Sequence, residues 1–254
     1  MTTRAWHGIR RNRNSLFTLL LFSGGAAGLH GQSSLVAGAH KEIPLAEIIE
    51  GMSRSEAAQS RDLKHYTSIR TYHLENRRFK TTADMTVRLT YRYPGRKEFE
   101  VLSESGPGTL RDRVLLRMVE SEVEASRDDL RRLNQLTTAN YDFRFLRLDR
   151  DEGRPVFVLD AEPKTKSKYL IKGEVWVDAA DFGVSRVIGR PAKSPSFLIR
   201  GPRLVYRYAR FGSFWLPVAT DSEADAILFG HTEVKIRYRD YRINSEHTGG
   251  SSTR

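Results

Sequence analysis

Lys172-Gly173-Glu174-Val175-Trp176-Val177-Asp178-Ala179-Ala180-Asp181-Phe182-Gly183-Val184-Ser185-Arg186-Val187-Ile188-Gly189-Arg190 decides how the remaining sequence reads. Two runs rich in Val, Ile and Trp flank a short polar segment that holds Asp and Gly. That is the composition of a hairpin between two sheet strands. The pattern returns downstream, where Gly212-Ser213 parts a strand ending at Phe211 from Phe214-Trp215-Leu216-Pro217. Residues 232–243 form a third run. The C-terminal half is therefore expected to be a meander of antiparallel strands, and the open question is what such a sheet encloses.

Working outward, residues 82–93 carry the cleanest period of two. Met85, Val87, Leu89, Tyr91 and Tyr93 share one face, while Asp84, Thr86, Arg88, Thr90 and Arg92 share the other. One face meets an apolar interior and the other meets water, as in an antiparallel sheet with a solvated side. Residues 66–74 alternate in the same way. Pro94-Gly95 turns the chain, and Phe99 and Val101 continue the inward set. Tyr141, Phe143 and Phe145 alternate with Asp142 and Arg144, and residues 155–161, which include Phe157, make the next strand. Leu204, Tyr206 and Tyr208 alternate with Arg203, Val205 and Arg207. In the last run Val234, Ile236 and Tyr238 face one way before Tyr241 and Ile243 take over, a parity change that predicts a β-bulge near Arg239-Asp240.

Helical spacing occurs twice. After Pro44, apolar Leu45, Ile48, Ile49 and Met52 predict an amphipathic helix over residues 43–60, although Gly51 weakens it. Residues 109–136, with Leu110, Val114, Leu115, Met118, Val119 and Val123, interrupt the strands with a second helical region. The fold class expected is α+β.

The chain has 254 residues, a formal net charge of +11 and no Cys, which excludes disulfides, thiolate metal sites and a thiol nucleophile. Arg4, Arg10, Arg11 and Arg13 precede an apolar run over residues 16–29 and the small-residue stretch Ala37-Gly38-Ala39. These are the parts of a secretory signal peptide, expected over residues 1–39. Its removal leaves 38 basic against 31 acidic side chains, a net of +7. A single domain over residues 40–244 and a disordered Gly, Ser and Thr-rich tail over residues 245–254 complete the organisation. The mature protein is expected to be soluble, periplasmic and monomeric.

Motifs of catalysis are missing from the sequence: no G-x-S-x-G, H-E-x-x-H, phosphate loop or G-x-G-x-x-G occurs. No pair of carboxylates is set up for acid–base work, so no catalytic residue, metal ligand or cofactor is expected. The turn Asp149-Arg150-Asp151-Glu152-Gly153 shares residues with a calcium loop, but its Gly is one place early and strands stand where helices are required. Nucleic acid is excluded as a partner because a stacking platform needs aromatics and cations on one face. In residues 82–93 they point to opposite faces. The outward arginines fit a solvated surface, with at most peripheral attraction to anionic headgroups.

What remains is an inward face of large side chains. If helices plug an incomplete barrel, the space between is an apolar cleft suited to lipid. The candidate cavity residues are Met85, Val87, Leu89, Tyr91, Phe99, Phe143, Phe145, Phe157, Tyr206, Tyr208 and Tyr238.

A leading helix, a strand meander with a helical insertion, Gly173-Glu174-Val175-Trp176-Val177-Asp178 and Val184-Ser185-Arg186-Val187 resemble the outer-membrane lipoprotein-sorting (LolA-like) proteins. Phe214-Trp215-Leu216-Pro217 and Tyr238-Arg239-Asp240-Tyr241 add to the likeness, which covers about residues 44–244. The resemblance implies an incomplete, eleven-stranded antiparallel β-barrel, a strongly curved sheet with helices closing the open side. Its cavity would take up acyl chains of lipoproteins or other envelope lipids. An inner-membrane release complex and an outer-membrane receptor are the implied partners, and the role is that of a carrier or chaperone rather than an enzyme. A carrier of this kind has a cavity arginine, for which several positions here compete. Two other readings stand beside it: an envelope-stress sensor of the RseB type, and a hydrolase acting on envelope lipid or glycan.

Overall fold

Alternation of apolar and polar side chains produces one antiparallel sheet in the computed structural model, which describes residues 43–194, 199–226 and 230–244. The targeting segment expected over 1–39 and the tail expected from 245 lie outside the described residues. The strands are β1 (His65–Asn76), β2 (Thr81–Arg92), β3 (Arg96–Ser105), β4 (Tyr141–Asp151), β5 (Arg154–Pro163), β6 (Ile171–Asp178), β7 (Val184–Pro191), β8 (Ile199–Phe211), β9 (Phe214–Ala226) and β10 (Gly230–Ile243). Four helices accompany them among the described residues: α1 (Leu45–Asp62), α2 (Gly108–Leu110), α3 (Leu116–Ala125) and α4 (Asp128–Asn134).

The strand order is β3-β2-β1-β10-β9-β8-β7-β6-β5-β4. Every neighbour is also a neighbour in sequence except β1 and β10, which pair along almost their whole length from Tyr66↔Ile243 to Asn76↔Thr232. The sheet is not closed: its edges are β3 and β4. The chain crosses from one edge to the other through α2, α3 and α4, and α3 packs beside β3. This is an incomplete barrel with helices at its open side. It has ten strands among the described residues, against the eleven implied by resemblance.

Local sequence explains several details. The hairpin of residues 172–190 becomes β6 and β7, with Val175 opposite Val187. Asp178 and Asp181 shape its turn by accepting backbone N–H bonds from Ala180 at 2.9 Å and Gly183 at 3.0 Å. On β10 the pairing passes from Thr67↔Arg242 to Ile69↔Arg239, so an extra residue is accommodated at Asp240, whose φ is 56°. The expected bulge lies there. Between α2 and α3, residues Arg111–Leu115 form a π-helical turn. It brings Leu110 and Leu115, five residues apart, together onto the sheet against Tyr72, Met85 and Val87.

Separate buried clusters divide the interior. One lies under α1, where Ile48 and Met52 meet Tyr141, Phe157, Leu159, Val175 and Val177. A second lies under α2 and α3, where Leu110, Leu115 and Val119 meet Met85, Val87, Val234 and Ile236. Leu63, Tyr66, Leu89 and Leu216 make a third at the end of α1. On the outer face, Val156, Val158 and Trp176 form a small patch roofed by the guanidinium groups of Arg147 and Arg186 over the indole.

Gly51 illustrates how packing overrides helix propensity. It sits inside α1, and a Cβ there would fall 2.4–2.8 Å from carbons of the Phe182 ring. Gly51→Ala in an exposed helix would gain about 1 kcal/mol. Here it should lower the melting temperature, because Phe182 has to leave the helix surface. A raised melting temperature would show that Phe182 does not depend on that gap.

Candidate functional site: a tyrosine-lined cavity

Where α1 and α3 diverge across the sheet, the clusters leave a cavity of about 660 Å³. Its wall draws on β1, β2, β3, β6, β7, β8, β9 and β10, so the sheet curves around it. Seven of the ten tyrosines line it: Tyr66, Tyr72, Tyr91, Tyr169, Tyr206, Tyr208 and Tyr238. Strand parity puts six of them there, and Tyr169 comes from the turn between β5 and β6. Tyr206 and Tyr208 are alternate residues of β8, and Tyr66 stacks on its cross-strand partner Tyr91 with ring centroids 5.1 Å apart.

Burial pushes the Tyr206, Tyr208 and Tyr238 hydroxyls above the usual phenol range, which keeps them protonated. The Tyr238 hydroxyl also lies 3.0 Å from Thr220 Oγ1. Opposite the tyrosines, Met118, Ser121, Glu122 and Ala125 of α3 face the cavity. Their spacing of three, four and seven residues marks one side of a helix. Ser55, Glu56 and Gln59 of α1 complete that wall.

A buried charge cluster sits against the cavity. Arg70, on the inward face of β1, is 0% exposed. Its guanidinium donates to Glu122 of α3 and lies over the Tyr238 ring, 4.8 Å from the centroid. Lys97 of β3 donates to the same carboxylate at 2.7 Å. Burial alone would raise the Glu122 pKa, but Arg70 and Lys97 outweigh it and hold the carboxyl at about 2. Arg70 Nε and Nη2 have no hydrogen-bond partner among the described residues. Among the arginines of the described residues, Arg70 is the fully buried one.

Of the eleven residues expected to line a cleft, Tyr91, Tyr206, Tyr208 and Tyr238 line the cavity. The other seven lie elsewhere, for identifiable reasons. Met85 and Val87 are covered by Leu110, Leu115 and Val119, with Phe99 packed alongside. Leu89 is 0% exposed and closed in by Leu63, Tyr66 and Leu216. Phe157 is buried under α1, with Phe143 beside it. Phe145 shares the inward side with its partner Leu159, but β4 is a sheet edge that no helix covers at that point, and Phe145 is 42% exposed. Tyr93, read with the inward set, falls after the end of β2; it is 48% exposed with the Lys64 ammonium over its ring.

Sequence reasoning missed Arg70, Lys97 and Glu122. A signal existed in parity. Arg70 sits between Ser68 and Tyr72 in the buried alternation of β1, and Lys97 lies opposite inward Tyr91. The outward arginines named earlier are paired across strands: Arg88 with Glu100, Arg92 with Glu98, Arg203 with Glu223 and Arg207 with Asp221. In the Asp149–Gly153 turn, the Asp151 carboxylate accepts from Ser185 and Arg186.

Comparison with known proteins gives structural likenesses. No protein-family model and no curated protein matches the sequence. Among solved structures, the chain is similar to an outer membrane lipoprotein-sorting protein domain from Vibrio parahaemolyticus, at 14% identity and a TM-score of 0.39 over 78% of this chain and 94% of that one. It is also similar to a LolA superfamily protein from Nitrosomonas europaea, at 10% identity and a TM-score of 0.36 over 80% and 95% of the two chains. A chain of the MucA/MucB complex from Pseudomonas aeruginosa matches at 11% identity and a TM-score of 0.27, over 79% of this chain and all of that one. The fold described above rests on its own strand order and register.

Proposed function

We propose that this chain is a binding protein of the bacterial envelope that takes an acyl chain of a lipoprotein or other lipid into its cavity. The observation that carries this reading is the 660 Å³ space between sheet and helices, with an aromatic wall and room left by three close-packed clusters. That volume lies within the roughly 300–1,000 Å³ typical of sites that enclose a small ligand. Each methylene moved into it from water is favourable by about 0.8 kcal/mol, so a long chain binds without any reacting group. A signal peptide over residues 1–39 would deliver the protein to the periplasm. There a monomeric carrier would receive its lipid from an inner-membrane release complex and yield it to an outer-membrane receptor, as a lipoprotein-sorting chaperone does.

The test is native mass spectrometry of protein purified from the periplasm, before and after extraction with organic solvent. A lipid-sized mass that disappears on extraction, and returns when palmitate is added, is the expected result. Protein that carries no lipid and takes up no palmitate would overturn the proposal.

A further inference from the structure

The cavity is not uniformly apolar: its charges gather at one pole. Lys97 Nζ lies 2.7 Å from Glu122, which also receives the buried Arg70 guanidinium, so two cations share one carboxylate. Arg131 of α4 also lines the cavity, next to Gly95 of the turn that leads into β3. A Cβ on Gly95, two residues before Lys97, would fall 2.4 Å from the Ser126 carbonyl and 3.4 Å from Arg131 Nε. Glu56 of α1 also lines the cavity and interacts with Arg131. Lys168 also lines the cavity. Among the lining residues, three cations (Lys97, Arg131, Lys168) stand against two carboxylates (Glu56, Glu122), and one of those carboxylates is also held by the buried Arg70. The tyrosine wall on β8 and β10 carries no charge to offset that excess.

Size narrows the ligand further. A space of about 660 Å³ falls within the roughly 300–1,000 Å³ of sites that enclose one small ligand. That suits one long acyl chain with its head, not two or three chains. We propose that the cavity selects a single-chain amphiphile with an anionic head, a carboxylate or phosphate monoester, seated at Lys97 and Arg131 with its chain along Tyr206, Tyr208 and Tyr238. The proposal rests on the acyl-binding reading above and adds head charge and chain number to it. Ionised heads gain from charge-assisted hydrogen bonds that an alcohol of equal chain length cannot form.

Competition against a fluorescent acyl probe, with palmitate, hexadecanol, lysophosphatidate and dipalmitoyl phosphatidate as competitors, tests it. Palmitate and lysophosphatidate should each displace the probe about tenfold more strongly than hexadecanol, a factor that charge-assisted contacts readily supply. Lysophosphatidate outranking palmitate assigns the head as phosphate, and the reverse order assigns it as carboxylate. In Arg131→Gln and Lys97→Gln the preference over hexadecanol should collapse while hexadecanol itself displaces as before, which shows an intact cavity. Equal displacement by palmitate and hexadecanol in the wild type would overturn the anionic head. Phosphatidate displacing as strongly as lysophosphatidate would overturn the single chain. Failure of all four competitors, with no probe binding, would instead remove the acyl-binding reading itself.

Discussion

Replacing Glu122 by glutamine should lower the unfolding free energy by about 3–5 kcal/mol, the loss typical when one member of a buried ionic network is removed. Arg70 is 0% exposed and Lys97 largely buried, so both cations would be left without their shared carboxylate. Desolvation is what makes the loss large. The pair itself need not be strongly stabilising, because its members also lost their hydration on folding. A further variant separates these ideas: Arg70→Met, Lys97→Met and Glu122→Met together remove all three charges of the network, and should recover most of the stability lost in Glu122→Gln. Chemical denaturation measures both, and a Glu122→Gln loss below about 1 kcal/mol would contradict the buried network, since that is the range of exposed ion pairs.

Acid provides an independent reading of the same network. Glu122 is held at about 2, below its ordinary 4.5, by Arg70 and Lys97 against the opposing effect of burial. A carboxyl with a depressed folded-state pKa stabilises the fold fully above the unfolded value. That contribution fades as pH falls from 4.5 towards 2. The stability difference between wild type and Glu122→Gln should therefore be widest above pH 4.5 and shrink towards pH 2. A difference that stays constant across that range would show that Glu122 has no preferential charge in the folded state.

One tryptophan placed at two positions should give opposite results. Leu89 is enclosed by Leu63, Tyr66 and Leu216, so Leu89→Trp overpacks a filled cluster, a change that typically costs about 1–3 kcal/mol. Ser121 faces the cavity from α3, and Ser121→Trp has open space for the indole. Its effect on stability should stay under about 1 kcal/mol, since Trp and Ser differ little in helix propensity. The binding outcomes reverse. Ser121→Trp occupies volume the acyl chain needs and should weaken probe binding about tenfold or more, whereas folded Leu89→Trp should bind nearly as the wild type does. Matching melting losses at both positions would mean that the space beside Ser121 closes in solution.

Legibility in the sequence followed the range of the interactions concerned. Strand parity is local, and the alternation in residues 82–93 and the bulge at Asp240 could both be read from side-chain types alone. The hairpin of residues 172–190 was legible for the same reason. Which inward residues face empty space was not. Met85, Leu89 and Tyr91 share a strand face, yet α2, the π-helical turn and α3 fill the room above Met85, and the end of α1 closes over Leu89. Only Tyr91 of the three reaches the cavity. That depends on where the helices cross a sheet whose central pair, β1 and β10, joins residues more than a hundred positions apart. The buried charges escaped for a different reason. Arg70 and Glu122 look like ordinary surface residues until each is assigned its face, and a cation at an inward parity position was the one sign available.

The central claim is that an acyl chain lies between the tyrosine wall and α3. Photolabelling with a diazirine-bearing fatty acid, followed by peptide mapping, tests it most directly. Saturable labelling is expected on peptides containing Tyr206 and Tyr208, Tyr238, and Met118 or Ser121, with unlabelled palmitate abolishing it. Labelling confined to the exposed edge at Phe145 and Leu148, or insensitive to palmitate, would contradict a binding cavity in this protein.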